Sequence, residues 1–293
     1  MPVLSLPNWI KPHLYAGKKF KDLTDDELLN LQRNIARFKH DDPEVSVMIP
    51  AWNEENNIFR TLSSLSATSS KLKIEIVVIN NNSTDGLQNV LDILGVKSMF
   101  QPQQGTSFAR QMGLLQAKGK YHLCADSDTF YPPSWIDLMV EPMKTEAGCV
   151  GVYGRYYFIP GQGETRFFYS IYEKLTGVLV QLKKKKREHI NVLGFNMGFI
   201  TQVGIDNGGF EVTQTRMFDN ARGSEYFVDE AEDGRMALNL KKTGWLKLVR
   251  APKARVFTSS RRLAAEGGIV RSFINRFKLH TRRFKEYITG PKV

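Results

Sequence analysis

Between residues 45 and 154 the chain alternates short apolar, β-branched runs with segments of helical spacing, and this constrains its fold more than any other feature. "VSVMIP" (45–50) is the first run. Pro50 is expected to end it, because proline brings no N–H to a ladder. "IEIVVI" (74–79), "KSMFQ", "KYHLCA" (120–125) and "CVGVYG" (149–154) follow as strands. Between them lie "ENNIFRTLSSLSA", with Ile58, Leu62 and Leu65 on one helical face, "STDGLQNVLDIL", "TSFARQMGLLQA" and "PSWIDLMVEPM". This order predicts an α/β fold with a Rossmann-like, mostly parallel central sheet flanked by helices.

Ligands of such sheets bind beyond the carboxyl ends of the strands. Unusual polar residues collect there. Trp52-Asn53-Glu54-Glu55 follow the first strand, "NNNSTDG" the second, and Asp126-Ser127-Asp128 the fourth. The three loops are expected to converge on one edge. Neither G-x-G-x-x-G nor G-x-x-x-x-G-K-[ST] follows the first strand, which disfavours a dinucleotide site and a P-loop.

Outside this region the pattern loosens. Residues 20–42 read as an amphipathic helix with Thr24 as N-cap and Glu27 three residues on. "TRFFYSIYEKLTGVLVQLKKKKREH" reads as a long helix whose cations at 183–187 suit a helix C-terminus. "HINVLGFNMGFI" reads as a glycine-containing strand pair or loop. "DEAEDGRMALNLKKTG" reads as an acid-capped helix ending at Gly244. "WLKLV" and "ARVFT" are short strands, and "GGIVRSFINRFKLHTRRFKEYI" is a basic amphipathic helix.

Several classes are disfavoured. No stretch approaches the ~18 unbroken apolar residues of a membrane span. The first residues lack the apolar core of a signal peptide, so a cytoplasmic protein is expected. Cys124 and Cys149 sit in apolar runs and make neither a disulfide framework nor a zinc site. His13, His40, His122, His189 and His280 show no metal-ligand spacing. The net charge of +11 is uneven: residues 241–293 carry 15 Lys/Arg against Glu266 and Glu286, or +13, and the rest sums to −2. A basic tail on a neutral body suggests one anionic surface partner.

Two carboxylate pairs are candidates for chemistry. In an extended chain residues i and i+2 face one side, so Asp126 and Asp128 would share one space and repel unless a cation lay between them. Mg²⁺ or Mn²⁺ suits that place, because either takes carboxylate oxygens together with substrate phosphates. The alternative is that Asp128 or Thr129 caps the helix that starts near Pro132-Pro133. Glu232 and Asp233 open a helix, where the helix dipole alone would favour acidic residues.

"VSVMIPAWNEENNI", "IEIVVINNNSTDG", "GTSFARQMGLLQAKGKYHLCADSDTFYPPSWI" and "EDGRMALNL", in this order, resemble the family 2 glycosyltransferases of GT-A fold. The resemblance covers residues 45 to about 262. It implies that Pro50, Ala51, Trp52 and Glu54 run along the base and ribose of a nucleoside-diphosphate sugar. Trp52 stands where a tyrosine or small polar residue is more usual, and either stacks on the base or packs. Asn80 and Asn81 replace two aspartates. Asn81 would read the base edge, and since asparagine donates as well as accepts, the base stays open. Asp85 is expected to cap the next helix.

By the same resemblance, Gly105 and Arg110 lie under the donor, with Arg110 a phosphate contact or else a surface arginine. Gln111 stands where the family has asparagine. Asp126 and Ser127 belong to the donor side. Asp128 is the direct metal ligand, with Asp126 nearer the ribose or metal, and Asp233 is the catalytic base. Gly194, Asn196 and Glu232 lie on the acceptor side. "EVTQTRMFDNARGSEYF" is an acceptor loop, and Arg261 and Arg262 close over the diphosphate or the acceptor, or form a solvated turn.

The implied organisation is an N-terminal helical extension (1–43), a nucleotide-sugar-binding half (44–155), an acceptor-side half (156–263) and a basic amphipathic C-terminal helix (264–293). The implied function is an inverting transfer of sugar to a hydroxyl acceptor, a glycan or lipid-linked glycan, in cell-surface polysaccharide or glycolipid synthesis. The C-terminal helix, with Phe273, Ile274, Phe277, Phe284 and Ile288, then suits peripheral contact with an anionic inner membrane face. Two rival classes remain. A nucleotidyltransferase would want a glycine-rich basic loop where "PAWNEENN" stands. A nucleic-acid-binding protein would leave the three polar loops unexplained, so no nucleic acid is expected as partner.

Overall fold

A computed structural model describes residues 5–161, 164–184, 187–211 and 232–261, with Leu263, Gly267, Gly268, Arg271, Asn275 and Lys278 beyond them. All but Glu211 of the expected acceptor loop, Arg262 and most of the expected C-terminal helix, including Phe273, Ile274 and Phe277, lie outside the described residues.

A 3-10 segment, Asn8–Gly17, buries Ile10 and His13 ahead of α1 (Asp25–Ala36). The α1 capping box forms as expected: Thr24 Oγ1 accepts from Glu27 N at 3.3 Å, and Glu27 Oε2 accepts from Thr24 N at 2.8 Å. The alternation follows as β1 (Val45–Ala51), α2 (Ile58–Ser66), β2 (Ile74–Asn80), α3 (Leu87–Leu94), β3 (Lys97–Phe100), α4 (Thr106–Gln116) and β4 (Tyr121–Cys124). Next come β5 (Thr129–Phe130), α5 (Trp135–Thr145), β6 (Cys149–Gly154), β7 (Tyr156–Ile159) and α6 (Arg166–Lys184). Last are β8 (Met197–Ile200), α7 (Thr201–Asp206), α8 (Glu232–Leu240), β9 (Trp245–Val249) and β10 (Val256–Ser259).

The main sheet runs β3-β2-β1-β4-β8-β6-β9. Its pairs are parallel except where β8 runs antiparallel to β4 and β6. Period two explains the two cores. Val45, Val47, Ile49 and Ala51 face α1, α2, α3 and α5, whereas Met48 faces α4. With both faces covered, the strands can be apolar throughout, which is why they read as continuous runs.

Three expectations need correction. β1 continues one residue past Pro50, because the Ala51 carbonyl still accepts from Asn81 N at 2.8 Å. "HINVLGFNMGFI" holds a single strand, β8, after a 3-10 turn at Glu188–Asn191. α8 ends at Leu240, four residues before Gly244, although Gly244 N still donates to Leu240 O at 3.2 Å.

A small sheet, β5-β10-β7, stands beside the main one. β5 and β7 fall outside the strands expected from the sequence. β5 is two residues long and is held by partners far along the chain: Thr258 pairs with Thr129, and Thr129 Oγ1 donates to Thr258 Oγ1 at 3.0 Å. β1 lies between β2 and β4, so the chain reverses its direction of travel across the sheet there. The carboxyl ends of these parallel strands open onto that switch point.

Candidate active site

The loops beyond β1 and β2 brace each other. Asn53 takes a left-handed φ of 53°, and its Oδ1 accepts from Thr84 N at 2.8 Å. Asn53 N donates to Ser83 Oγ at 3.0 Å, and Glu55 Oε2 accepts from Gly86 N at 2.8 Å. Asp85 meets the start of the next helix from one residue before its N-cap, Gly86: Oδ1 accepts from Leu87 N and Oδ2 from Glu55 N, each at 3.0 Å. Asn53 and Glu55 are therefore structural fasteners. Trp52, directly after β1, is partly buried.

Asn81 is buried at the end of β2, and its Oδ1 accepts from Gly105 N at 3.3 Å. This bond sets the start of α4, where Gly105 has a φ of 150° that a side chain would resist. α4 carries Arg110 beneath the switch point.

Arg110 is the first correction at the site. It is 6% exposed and turned into the protein. Nη2 donates to Asp126 Oδ1 at 2.7 Å, and Nη1 donates to the Gly194 carbonyl at 3.0 Å. Nε lies 3.7 Å from Glu232 Oε1. Burial alone would lower its proton affinity, but Asp126, Glu232 and Asp233 hold the guanidinium firmly charged. Arg110 is therefore no surface arginine: it is buried against these carboxylates and positions them.

The second correction concerns Asp126 and Asp128. β4 stops at Cys124 and the chain turns at Ser127-Asp128, so the extended backbone that would turn both carboxylates to one side does not continue, and each pairs with a different arginine. Tyr131 Oη accepts from Asp126 N at 2.9 Å and donates to the Phe195 carbonyl at 3.0 Å. Ser127 is buried, and its carbonyl accepts from Thr61 Oγ1 at 2.8 Å. Asp126 is drawn to Arg110, and Asp128 to Arg261.

Arg261 follows β10, which reaches the site by pairing with β5. Its Nη2 donates to Asp128 Oδ2 at 2.9 Å and to Glu54 Oε1 at 2.5 Å. Burial pushes the Glu54 carboxyl up, with the Asp128 charge adding to this and Arg261 opposing it. Asp128 and Arg261 line one open cleft with Asn57, Thr61, Ile159 and Ser260.

Asp233 completes the set from the first turn of α8. Its Oδ2 accepts from Gly194 N at 2.6 Å. Gly194 thus joins Asp233 through its N–H to Arg110 through its carbonyl. A Cβ there would run into the guanidinium. Burial, together with the Glu232 charge, pushes the Asp233 carboxyl up to about 6, while Arg110 and Gly194 N pull the other way. A carboxyl near neutrality suits proton abstraction.

Asn196 departs from its expected acceptor-side place. It is 1% exposed; its Oδ1 accepts from Trp135 Nε1 and its Nδ2 donates to the Arg155 carbonyl, each at 2.8 Å. It fastens the core behind the site. Sequence reasoning missed Tyr131, whose signal was its place between the aspartates and the prolines, and the loop bracing by Asn53 and Glu55.

The donor set fits a hard divalent cation. Asp128 and Glu54 offer oxygens alone, and they already hold a cationic guanidinium between them. Among the described residues no three His, Cys, Asp or Glu side chains cluster as a self-sufficient metal cage. Behind the site His122 is buried and stacked on Phe199 at 4.7 Å, with neither ring nitrogen hydrogen-bonded among the described residues. Burial, with the Arg110 charge, pushes it down to about 3, so it is neutral.

The family model described as "Glycosyl transferase family 2" matches residues 46–203. Dolichol-phosphate mannosyltransferase of Saccharomyces cerevisiae is 32% identical over 130 residues, 41% of this chain and 47% of that protein. Glycosyltransferase GlyA of Streptococcus pneumoniae is 28% identical over 144 residues, 46% of this chain and 20% of that protein. The chain thus spans about half or less of the length of these relatives. Mannosyltransferase PcManGT from Pyrobaculum calidifontis, solved with GDP-Man and Mn²⁺, superposes with a TM-score of 0.55 at 17% identity, covering 85% of this chain and 66% of that one. Glucosyl-3-phosphoglycerate synthase from Mycobacterium tuberculosis, solved with Mn²⁺, UDP-glucose and phosphoglyceric acid, superposes with a TM-score of 0.52 at 18% identity, covering 86% and 82%. At these identities the likeness shows the shared fold.

Proposed function

The chain belongs to glycosyl transferase family 2, and from that premise we propose that it moves a sugar from a nucleoside-diphosphate donor to a hydroxyl acceptor with inversion, using Mn²⁺ or Mg²⁺. The observation that carries this reading is a division of labour among carboxylates. Asp128 and Glu54 hold the Arg261 guanidinium at the cleft, where a metal would stand, while Asp233, with its raised proton affinity, interacts with Arg110. The relatives support it: two structural neighbours were solved with Mn²⁺ and a nucleotide sugar.

Asp128 would hold the metal directly, with Asp126 kept behind it by Arg110. The metal would stabilise the negative charge of the departing diphosphate as a Lewis acid. Asp233 takes the proton of the acceptor hydroxyl, whose oxygen attacks the anomeric carbon as the bond to the diphosphate breaks. One displacement inverts that carbon. Glu232 raises the Asp233 proton affinity and Arg110 restrains it, which keeps the base near neutrality. Pro50, Ala51, Trp52 and Asn81 line the end of β1 and β2 where the base and ribose would lie. The proposed acceptor is a glycan or lipid-linked glycan met at the cytoplasmic face of a membrane.

A thermal-shift panel of nucleoside diphosphates and nucleotide sugars, with and without Mn²⁺, tests this. A metal-dependent rise for one nucleotide series, lost in Asp128→Ala, is expected. Equal shifts with and without metal, or none for any nucleotide, would count against the reading.

A further inference from the structure

α6 departs from the rule that a surface helix turns its apolar side inward. Its inner side carries Arg166, Tyr169, Ser170 and Tyr172, all buried, and Glu173 paired to Arg166 at 2.6 Å. Its outer side carries Phe167, Phe168, Ile171, Leu175 and Val178, between 41% and 60% exposed. At about 100° per residue these five fall within an arc of roughly 100°, and they span about 16 Å along the axis. No acidic side chain lies on the stripe. Exposed Lys174 flanks it, and the run Lys183 to Arg187 is wholly basic.

The stripe begins beside the cleft. Tyr169 and Tyr172 pack with Phe158 and Leu263, two residues beyond Arg261. Ile159, Pro160 and Gly161, just before α6, line the same cleft as Asp128 and Arg261. The aromatic end of α6 therefore adjoins the mouth of the site.

We infer that the outer face of α6 is an interfacial surface that seats the protein on an anionic bilayer, with Phe167 and Phe168 entering the headgroup boundary nearest the cleft. An apolar stripe flanked by exposed Lys174, on a chain of net charge +11, is the chemistry that anionic lipid rewards. A second copy of the chain fits less well. Five half-exposed side chains offer on the order of 450 Å², against about 800 Å² per partner in a standard interface. The net charge of +11 also opposes self-association while favouring an anionic surface. A site held at the headgroup plane would meet its acceptor there; that consequence rests on the transferase reading, whereas the docking does not.

The test is co-sedimentation of the full chain with vesicles of phosphatidylcholine and phosphatidylglycerol in a 7:3 ratio, alongside the nucleotide thermal-shift assay. The wild-type chain pellets with the vesicles. Ile171→Asp combined with Leu175→Asp weakens partition at least tenfold and leaves the nucleotide shift unchanged, as does Val178→Asp alone to a smaller degree. The retained shift certifies folding and separates failure of docking from failure of the transferase reading. Wild-type protein that stays in the supernatant would overturn the inference, as would variants that pellet like wild type. Sedimentation velocity showing a lipid-free dimer that these substitutions dissolve would assign the face to a second copy instead.

Discussion

Arg261 Nη2 stands 2.9 Å from Asp128 Oδ2, so a cation belonging to the chain rests against the carboxylate expected to hold a metal. The same nitrogen reaches Glu54 at 2.5 Å. A guanidinium on these oxygens competes with a divalent ion for them. Arg261→Gln should therefore bind Mn²⁺ alone more tightly, by about three- to tenfold, as expected from losing a partly exposed competing cation. Its affinity for a nucleoside diphosphate with Mn²⁺ should fall, because the displaced arginine is then free to meet the diphosphate. Isothermal titration with metal alone and with metal plus nucleotide separates the two effects. Unchanged affinity for metal alone would show that Arg261 does not compete.

Asp233 should act deprotonated. With its carboxyl pushed up to about 6, kcat/KM should fall about tenfold per pH unit below that value and level off above it. Asp233→Asn should lose at least about 10²-fold in turnover while binding donor almost normally. A pH series and a donor titration on the variant check both. Comparable turnover in the variant would remove Asp233 as the base.

Arg110 should matter to stability and to the pH profile together. Arg110→Met leaves Asp126, Glu232 and Asp233 without their buried cation, a loss of about 3–5 kcal/mol by denaturant unfolding. The Asp233 proton affinity should rise as well, moving the acid limb of the rate profile to higher pH. Arg110→Lys keeps the charge but not the two-point reach to Asp126 and Gly194, so it should rescue the pH limb more than the stability.

His122 should set part of the acid stability. Its folded value of about 3 lies below the ordinary 6.5, so the folded chain binds fewer protons than the unfolded one. The associated stability is present above about pH 6.5 and is lost as pH falls toward 3, amounting to up to about 5 kcal/mol. His122→Leu should move the acid-unfolding midpoint to lower pH by circular dichroism. An unmoved midpoint would mean that the imidazole does not need to stay neutral.

The alternation of apolar runs and helical segments was enough to imply the parallel sheet, the helices on both faces and the edge where polar loops gather. Those features follow from local periodicity and from strand direction, which a linear chain carries openly. The capping box at Thr24 and the bond of Asp85 to the start of α3 were legible for the same reason, since their partners lie within three residues. The partners of the site residues were not legible. Arg110 reads as a helix arginine until β8 brings Gly194 against it. The two aspartates read as one pair until the turn at Ser127 sends them to different arginines. Arg261 lies 133 residues from Asp128, and only the pairing of β10 with the two-residue β5 carries it there. The apolar outer face of α6 was equally hidden, because an amphipathic pattern states that a helix has two sides but not which side the rest of the chain covers. Packing over long sequence separations made those choices, and no local signal encodes them.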